Sequence, residues 1–359
     1  MINIHNKRII ITKTNQIGDV TFALPIASAL KQADPSCHII FLGRSYSKAL
    51  IEHYQDVDAF ADYDQMSKAP SDDEAIHYLK TFKADIIIHV YPQKQLARLA
   101  KRAGIPIRVG NIRRLFLLKY CNRFVYVARK KSSLHESQLD MLYLKPFLKK
   151  TNYSLSEIIK LQQYKPFAKT TLNDRLAKDK FNLILHPLTR GRHIEWSFDH
   201  FAQLIEKLPD ETFQIFLTGS EEEGALFRET LVNPFPNVID LSGKTSLNDL
   251  IGFIQQADGL IAAATGPVHL AANFDIKTLG LYAPIKPFHA GRWGPIGKQV
   301  TVLSKQKNCS ECRFSRCHCI NEITPDEVAK VVMAWGASFD KASRISKSDH
   351  NENILTEKK

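Results

Sequence analysis

The sequence predicts an α/β protein built from two doubly wound halves. Short, continuously apolar runs such as Ala84–Val90 alternate with segments of helical apolar spacing. That is the pattern of parallel sheets covered by helices on both faces. The alternation stops in a polar, weakly patterned stretch, Lys149–Asp179, and then restarts. The length of 359 residues is long for one compact domain and suits two.

In the first half, Arg8–Lys13 reads as a strand and Asp19–Ala33 as a helix ending before Asp34-Pro35. A strand over His38–Leu42 and a helix over Ser47–Tyr54 follow, then the strand Ala84–Val90. The helix Lys94–Ala103 closes at Gly104, and Ile107–Gly110 is another strand. The second half restarts with the strand Asn182–His186 and a helix over Ser197–Lys207, with Ser197 as N-cap. Next come the strand Phe213–Thr218, the helix Glu221–Leu231, the strand Asn237–Leu241 and the helix Leu247–Gln256. Gly259–Ala263 is a strand, Pro267–Asn273 a helix with proline in its first turn, and Thr278–Tyr282 the final strand. Residues 1–165 and 166–340 form the two expected domains, and the polar tail 341–359 is expected to be disordered.

Lys and Arg outnumber Asp and Glu by 49 to 37, a net charge of +12, which points to an anionic partner. No nucleic-acid-binding module is visible, and nucleic acid is not expected as that partner. No secretory signal or apolar run of about 18 residues is present, so a cytoplasmic protein is expected. Of six cysteines, four crowd together as Cys309, Cys312, Cys317 and Cys319. They suit a structural zinc site, two disulfides or free thiols, and a zinc or redox module is one reading of the chain.

Four further segments carry chemistry. In Lys13-Thr14-Asn15-Gln16-Ile17-Gly18-Asp19 a strand ends and a loop turns into a helix, a ligand-facing position in an open α/β sheet. Gly18 allows close backbone approach. Asp19 is by position either a helix cap or a catalytic carboxylate. The loop after the second-half strand holds Thr189, Arg190, Arg192 and His193, a set suited to a diphosphate. Thr265-Gly266-Pro267-Val268-His269 opens a helix whose free N–H groups form an anion site, with His269 either ligand or core. Glu221, Glu222 and Glu223 end another strand, where a carboxylate such as Glu222 can hold ribose hydroxyls. At least two of the three are expected to serve the first turn of a helix.

Together these segments resemble glycosyltransferase family nine, the heptosyltransferases of lipopolysaccharide core assembly. The resemblance runs from Ile9 to about Val332. It rests on Lys13–Val20 with Leu24-Pro25 and Ala29-Leu30, on Thr265–Ala272, on Leu281–Pro284, on Arg292-Trp293-Gly294-Pro295 and on Ile323–Val328. It implies a GT-B architecture, two Rossmann-like domains with the active site in an inter-domain cleft. It also implies metal-independent, inverting transfer from ADP-heptose or a related nucleotide-sugar, with no cofactor and with Asp19 as general base. Thr189, Arg190, Arg192, Thr265 and Gly266 would meet the diphosphate, with His193, Pro267 and His269 beside them. Adenine would sit near Lys244, Thr245 and Leu247. The acceptor would be a Kdo residue of a lipid A precursor at the cytoplasmic face of the inner membrane. Lys13 and Gly18 would lie on the acceptor side, and Arg113 and Arg114 would meet acceptor phosphates. Two departures stand out. Ala264 occupies a place that is acidic in many members, and Arg192 or His193 takes the place of a lysine. They leave open a different donor sugar, or a non-catalytic relative that binds sugar nucleotides.

Overall fold

The structure, a computed structural model, describes residues 1–168, 170–189, 194–285, 289–305 and 318–339. The chain forms two compact units. Met1–Phe167 and Gly291–Ile296 make up the first, and Ala168–Ala290 with the chain from Gly297 makes up the second. The segment Gly291–Ile296, placed by the sequence reading in the C-terminal half, thus joins the first unit.

The first unit contains β1 (Arg8–Thr12), α1 (Ile17–Ala23), α2 (Pro25–Ala33), β2 (His38–Gly43), α3 (Lys48–Glu52), β3 (Ala59–Asp62), α4 (Tyr63–Ser67) and α5 (Asp72–Thr81). It continues with β4 (Ile86–His89), α6 (Lys94–Arg102), β5 (Ile107–Asn111), β6 (Arg123–Val125), α7 (Glu136–Met141) and α8 (Leu155–Leu161). The described strands form one parallel sheet in the order β3-β2-β1-β4-β5-β6. Ile9, Ile10, Ile11, Ile86, Ile87 and Ile88 are wholly buried, which is why β1 and β4 read as unbroken apolar runs. Each such side chain contributes about 1.5–3 kcal/mol on burial. The chain reverses direction across the sheet between β1 and β4, so the carboxyl ends of this pair mark the place for a ligand.

Several expectations need correction here. The single helix Asp19–Ala33 is two helices, because Leu24 ends α1 and Pro25 opens α2 at its first position. Proline has no N–H to continue the ladder of α1. The expected connection Lys149–Asp179 contains α8, whose capping box pairs Ser154 with Glu157.

The second unit contains β7 (Phe181–His186), α9 (Phe198–Lys207), β8 (Phe213–Leu217), α10 (Glu221–Leu231), β9 (Val238–Asp240), α11 (Leu247–Gln256) and β10 (Gly259–Ala262). After these come α12 (Gly266–Asn273), β11 (Lys277–Tyr282), α13 (Ala290–Trp293), β12 (Val300–Ser304) and α14 (Pro325–Ala337). Helix α13 starts at the last residue before the crossing and runs into the first unit's segment. The sheet order is β12-β11-β10-β7-β8-β9, all parallel, which repeats the order of the first sheet counted from its own first strand. Thr278–Tyr282 is therefore not the last strand. β12 follows at the sheet edge, where its half-exposed Val-Thr-Val-Leu-Ser gives no continuous apolar signal. Helix α14, capped by Thr324 and Glu327, buries Val328, Val332 and Trp335 in the core that holds Trp196, Phe201 and Phe213. Among the described residues no helix is long and apolar enough to cross a membrane.

Candidate active site

In the first unit, β1 delivers the chain to its carboxyl end, and Lys13 and Thr14 follow it fully buried. Gln16 is the N-cap of α1 and makes no side-chain capping bond. Asp19 is thus the third residue of the helix and not its cap. Gly18 is buried, and its carbonyl accepts a bond from the Thr21 hydroxyl at 2.6 Å. The Asp19 carboxyl is only partly open to solvent. Burial, the largest influence, raises its pKa above the ordinary aspartate value. The nearby Lys13 ammonium pulls it down, the Asp140 carboxylate pushes it up, and a bond from the Asn15 side chain and the Arg129 charge pull it down. The outcome is a carboxylate with raised proton affinity, the direction that strengthens a general base.

An ion network missed by the sequence reading stands behind Asp19. Lys13 Nζ lies 2.6 Å from Asp140 Oδ2, with both side chains buried. Arg129 Nη2 lies 2.6 Å from the other Asp140 oxygen, and its second terminal nitrogen meets Glu136. Glu136 in turn takes Arg292 Nη2 at 2.6 Å. Arg292 also donates to the carbonyl of Arg129 at 3.0 Å. His135 caps α7 by accepting the Ser137 N–H on Nδ1, and its Nε2–H donates to the Gly294 carbonyl at 2.9 Å. Burial holds that imidazole neutral, with its pKa lowered to about 4. Phe22 of α1 packs edge-on against His135 and tilted against Trp293. The run Arg292–Gly294 is therefore fastened to α1 and α7, which explains its place in the first unit. Arg113 and Arg114 are exposed just after β5. Arg113 Nη1 meets the Tyr126 hydroxyl at 3.0 Å, and Arg114 lies near Tyr143, whose phenol burial pushes up to about 12 against the pull of Arg129 and Arg114. Tyr143 itself bonds Arg129, so Arg114 borders the network.

In the second unit the described residues among the expected donor set gather at the carboxyl edge of the sheet. The chain order reverses between β7 and β10, where His186 and Ala262 are register partners. His186 Nδ1 is 2.9 Å from the Thr218 hydroxyl, tying the ends of β7 and β8. Beyond β7, Thr189 is buried and its hydroxyl donates to Glu195 Oε1 at 2.7 Å. Sequence reasoning gave that hydroxyl to a diphosphate and did not single out Glu195. The same hydroxyl also joins Thr189 to Glu195. Arg190, Arg192 and His193 lie outside the described residues.

After β10, Thr265 stands at the cap of α12 without a side-chain capping bond, and Pro267 fills an early position. The first-turn N–H groups of Gly266, Val268 and His269 have no partners within the helix. His269 is buried and Ala264 half-buried. At α10, Ser220 and Glu223 form a capping box, while Glu221 pairs with Arg228 at 2.6 Å. Two of the three glutamates thus serve the helix, and Glu222 is exposed at its start. Lys244 is exposed and donates to the Asp240 carbonyl at 2.9 Å. Ser246 caps α11, and Thr245 and Leu247 flank it half-buried. Cys319 is buried and packed against Ile194 and Ile285, and Cys309, Cys312 and Cys317 lie outside the described residues.

Comparison with known proteins places this geometry. The model of glycosyltransferase family 9 (heptosyltransferase) matches residues 74–321. A Haemophilus influenzae protein, named provisionally as a glycosyltransferase, is 25% identical over 302 residues, 81% of this chain and 86% of its own length. A family 9 glycosyl transferase from Veillonella parvula superposes with a TM-score of 0.78 at 17% identity, covering 94% of this chain and 99% of that one. The Escherichia coli ADP-heptose lipopolysaccharide heptosyltransferase II superposes with a TM-score of 0.72 at 16% identity, covering 92% and 98%. These likenesses show the fold.

Proposed function

From the premise that the chain belongs to glycosyltransferase family 9, a family of GT-B transferases, we propose that it moves a heptose-type sugar from an ADP-sugar to a Kdo hydroxyl of a lipid A-linked acceptor. The single observation that carries this is Asp19. It is a carboxylate of raised proton affinity at the carboxyl edge of the first sheet, backed by a buried ion network and not spent on capping its helix.

In this reading Asp19 takes the proton of the acceptor hydroxyl as its oxygen attacks the anomeric carbon. The bond from that carbon to the diphosphate oxygen breaks, its electron pair leaves with ADP, and the configuration at carbon inverts. The growing charge on the diphosphate is met by Arg190 and Arg192 and by the free amides of Gly266 and Val268 at the start of α12. Glu222 is assigned to the ribose, and Lys244, Thr245 and Leu247 to the adenine side. Pro267 shapes the entry to α12, and His269 supports it from below. Lys13 and Gly18 shape the acceptor side, while Arg113 and Arg114 meet acceptor phosphates. The adenosine diphosphate donor is supported by likeness to a structure named for ADP-heptose. A lipid-linked acceptor would bring the enzyme to the cytoplasmic face of the inner membrane.

The test is a product assay by mass spectrometry with ADP-heptose and Kdo-lipid A. Wild type should form the glycosylated product. Asp19→Ala should lose at least about a hundredfold in turnover while ADP still raises its melting temperature as in wild type. Turnover by Asp19→Ala at the wild-type rate would sink the assignment.

A further inference from the structure

The 50 residues 86–135 contain twelve Lys or Arg and no Asp or Glu. Part of this charge is used internally, since Arg98 and Arg102 pair with Asp72, and Arg129 with Asp140. Arg113, Arg114, Lys119 and Arg123 are exposed, and none of them pairs with a carboxylate among the described residues.

Large apolar side chains stand among these four cations. Leu115 is 78% exposed, Tyr126 58% and Leu118 50%, with Ile112 and Phe124 also open. They form one surface. Gly110 is in register with Phe124 at the sheet edge, and a side chain at Gly110 would run into Leu117 and Cys121. The face of β6 that carries Phe124 is therefore the face covered by the short turn of helix Leu115–Lys119. That turn buries Leu117 and leaves Leu115 and Leu118 outward. Ile112 hydrogen-bonds to Val125 across the same edge, and the Arg113 guanidinium lies over the Tyr126 ring.

We infer that this face, from Ile112 to Tyr126, docks the protein on an anionic lipid bilayer. Exposed aliphatic side chains gain by entering the interfacial layer, and cations among them gain by meeting headgroup phosphates. A nucleic acid would satisfy the cations and leave Leu115 and Leu118 in water. The inference rests on the lipid-linked acceptor proposed above for its purpose, while the patch is a property of the chain whatever the acceptor.

The experiment is flotation of the full chain with phosphatidylcholine vesicles, with and without phosphatidylglycerol, and without any acceptor. Wild type should float only with the anionic vesicles and be released by high salt. Lys119→Ser/Arg123→Ser should weaken partitioning roughly twenty-fivefold, at about fivefold per cation. Leu115→Ser/Leu118→Ser should weaken it at least about tenfold. Both variants should glycosylate a water-soluble, deacylated acceptor at the wild-type rate. Equal flotation with neutral vesicles, no flotation of wild type, or unchanged flotation of both variants would overturn the inference. So would retention on heparin without flotation, or loss of soluble turnover in the variants. Absence of soluble turnover in wild type would instead strike the transferase reading and leave the flotation result standing.

Discussion

A general base has to be ionised to act, and Asp19, proposed above for that role, is placed so that ionisation is costly. Only its charged form can accept a proton, so activity should fall as pH drops through its folded pKa. Because burial raises that pKa, the acid limb of kcat/KM should lie above the ordinary aspartate value of 3.8. Asp140→Asn removes the negative neighbour that pushes Asp19 up and frees Lys13 to pull it down. The limb should therefore move to lower pH. The same change leaves buried Lys13 without its ion-pair partner and Arg129 with Glu136 alone, and should destabilise the chain by about 3–5 kcal/mol in urea unfolding. A limb displaced to higher pH would show that Asp140 does not act on the base. Asp19 was legible in the sequence because a glycine and an acid follow an apolar strand within a few residues. Asp140 was not, because its bond to Lys13 spans 127 residues of chain and neither residue announces the other. Arg292 stood in a run singled out in the sequence, but its partner Glu136 could be found only by folding the chain.

Among the helices closed by their own sequence, α10 and α11 were read in full, whereas α8, capped by Ser154 and Glu157, fell in the expected connection. α10 and α11 begin after Ser220 and Ser246, whose hydroxyls accept from backbone N–H three residues on, and their ends match the sequence reading. Short edge elements escaped, because β6 buries only one of its three residues and gives no period to detect. Helix α12, proposed above to meet the donor diphosphate, depends on a neighbour that sequence cannot reveal. A side chain at Gly297 would run into the carbonyl oxygen of Ala272, inside α12. Backbone cannot yield as a flexible side chain can, so Gly297→Ala should displace the helix at a cost of about 1–3 kcal/mol. ADP binding, measured by titration calorimetry, should weaken along with stability. Unchanged affinity in the destabilised variant would separate α12 from the donor site.

Each unit is a complete parallel sheet of the same strand order, and that much was visible as two runs of alternating elements. The route of the chain between them was not, since six residues near position 290 return to the first unit and then leave it. A fragment of residues 1–167 should therefore fold poorly. Without Arg292 and the Gly294 carbonyl, buried Glu136 and the His135 N–H lose partners, an expected loss of about 3 kcal/mol or more. A synthetic peptide of residues 289–297, added in trans, should raise its urea midpoint. A fragment as stable alone as with the peptide would show the segment to be a passenger.

That returning segment also governs how such a protein can be inherited in parts. A single crossover at the boundary near Phe167 would give the first unit of one parent and the Arg292-Trp293-Gly294 clamp of the other. Viable hybrids should be those in which the clamp travels with α1 and α7, so the halves of this enzyme can be exchanged only by a double exchange or between parents whose clamps already match.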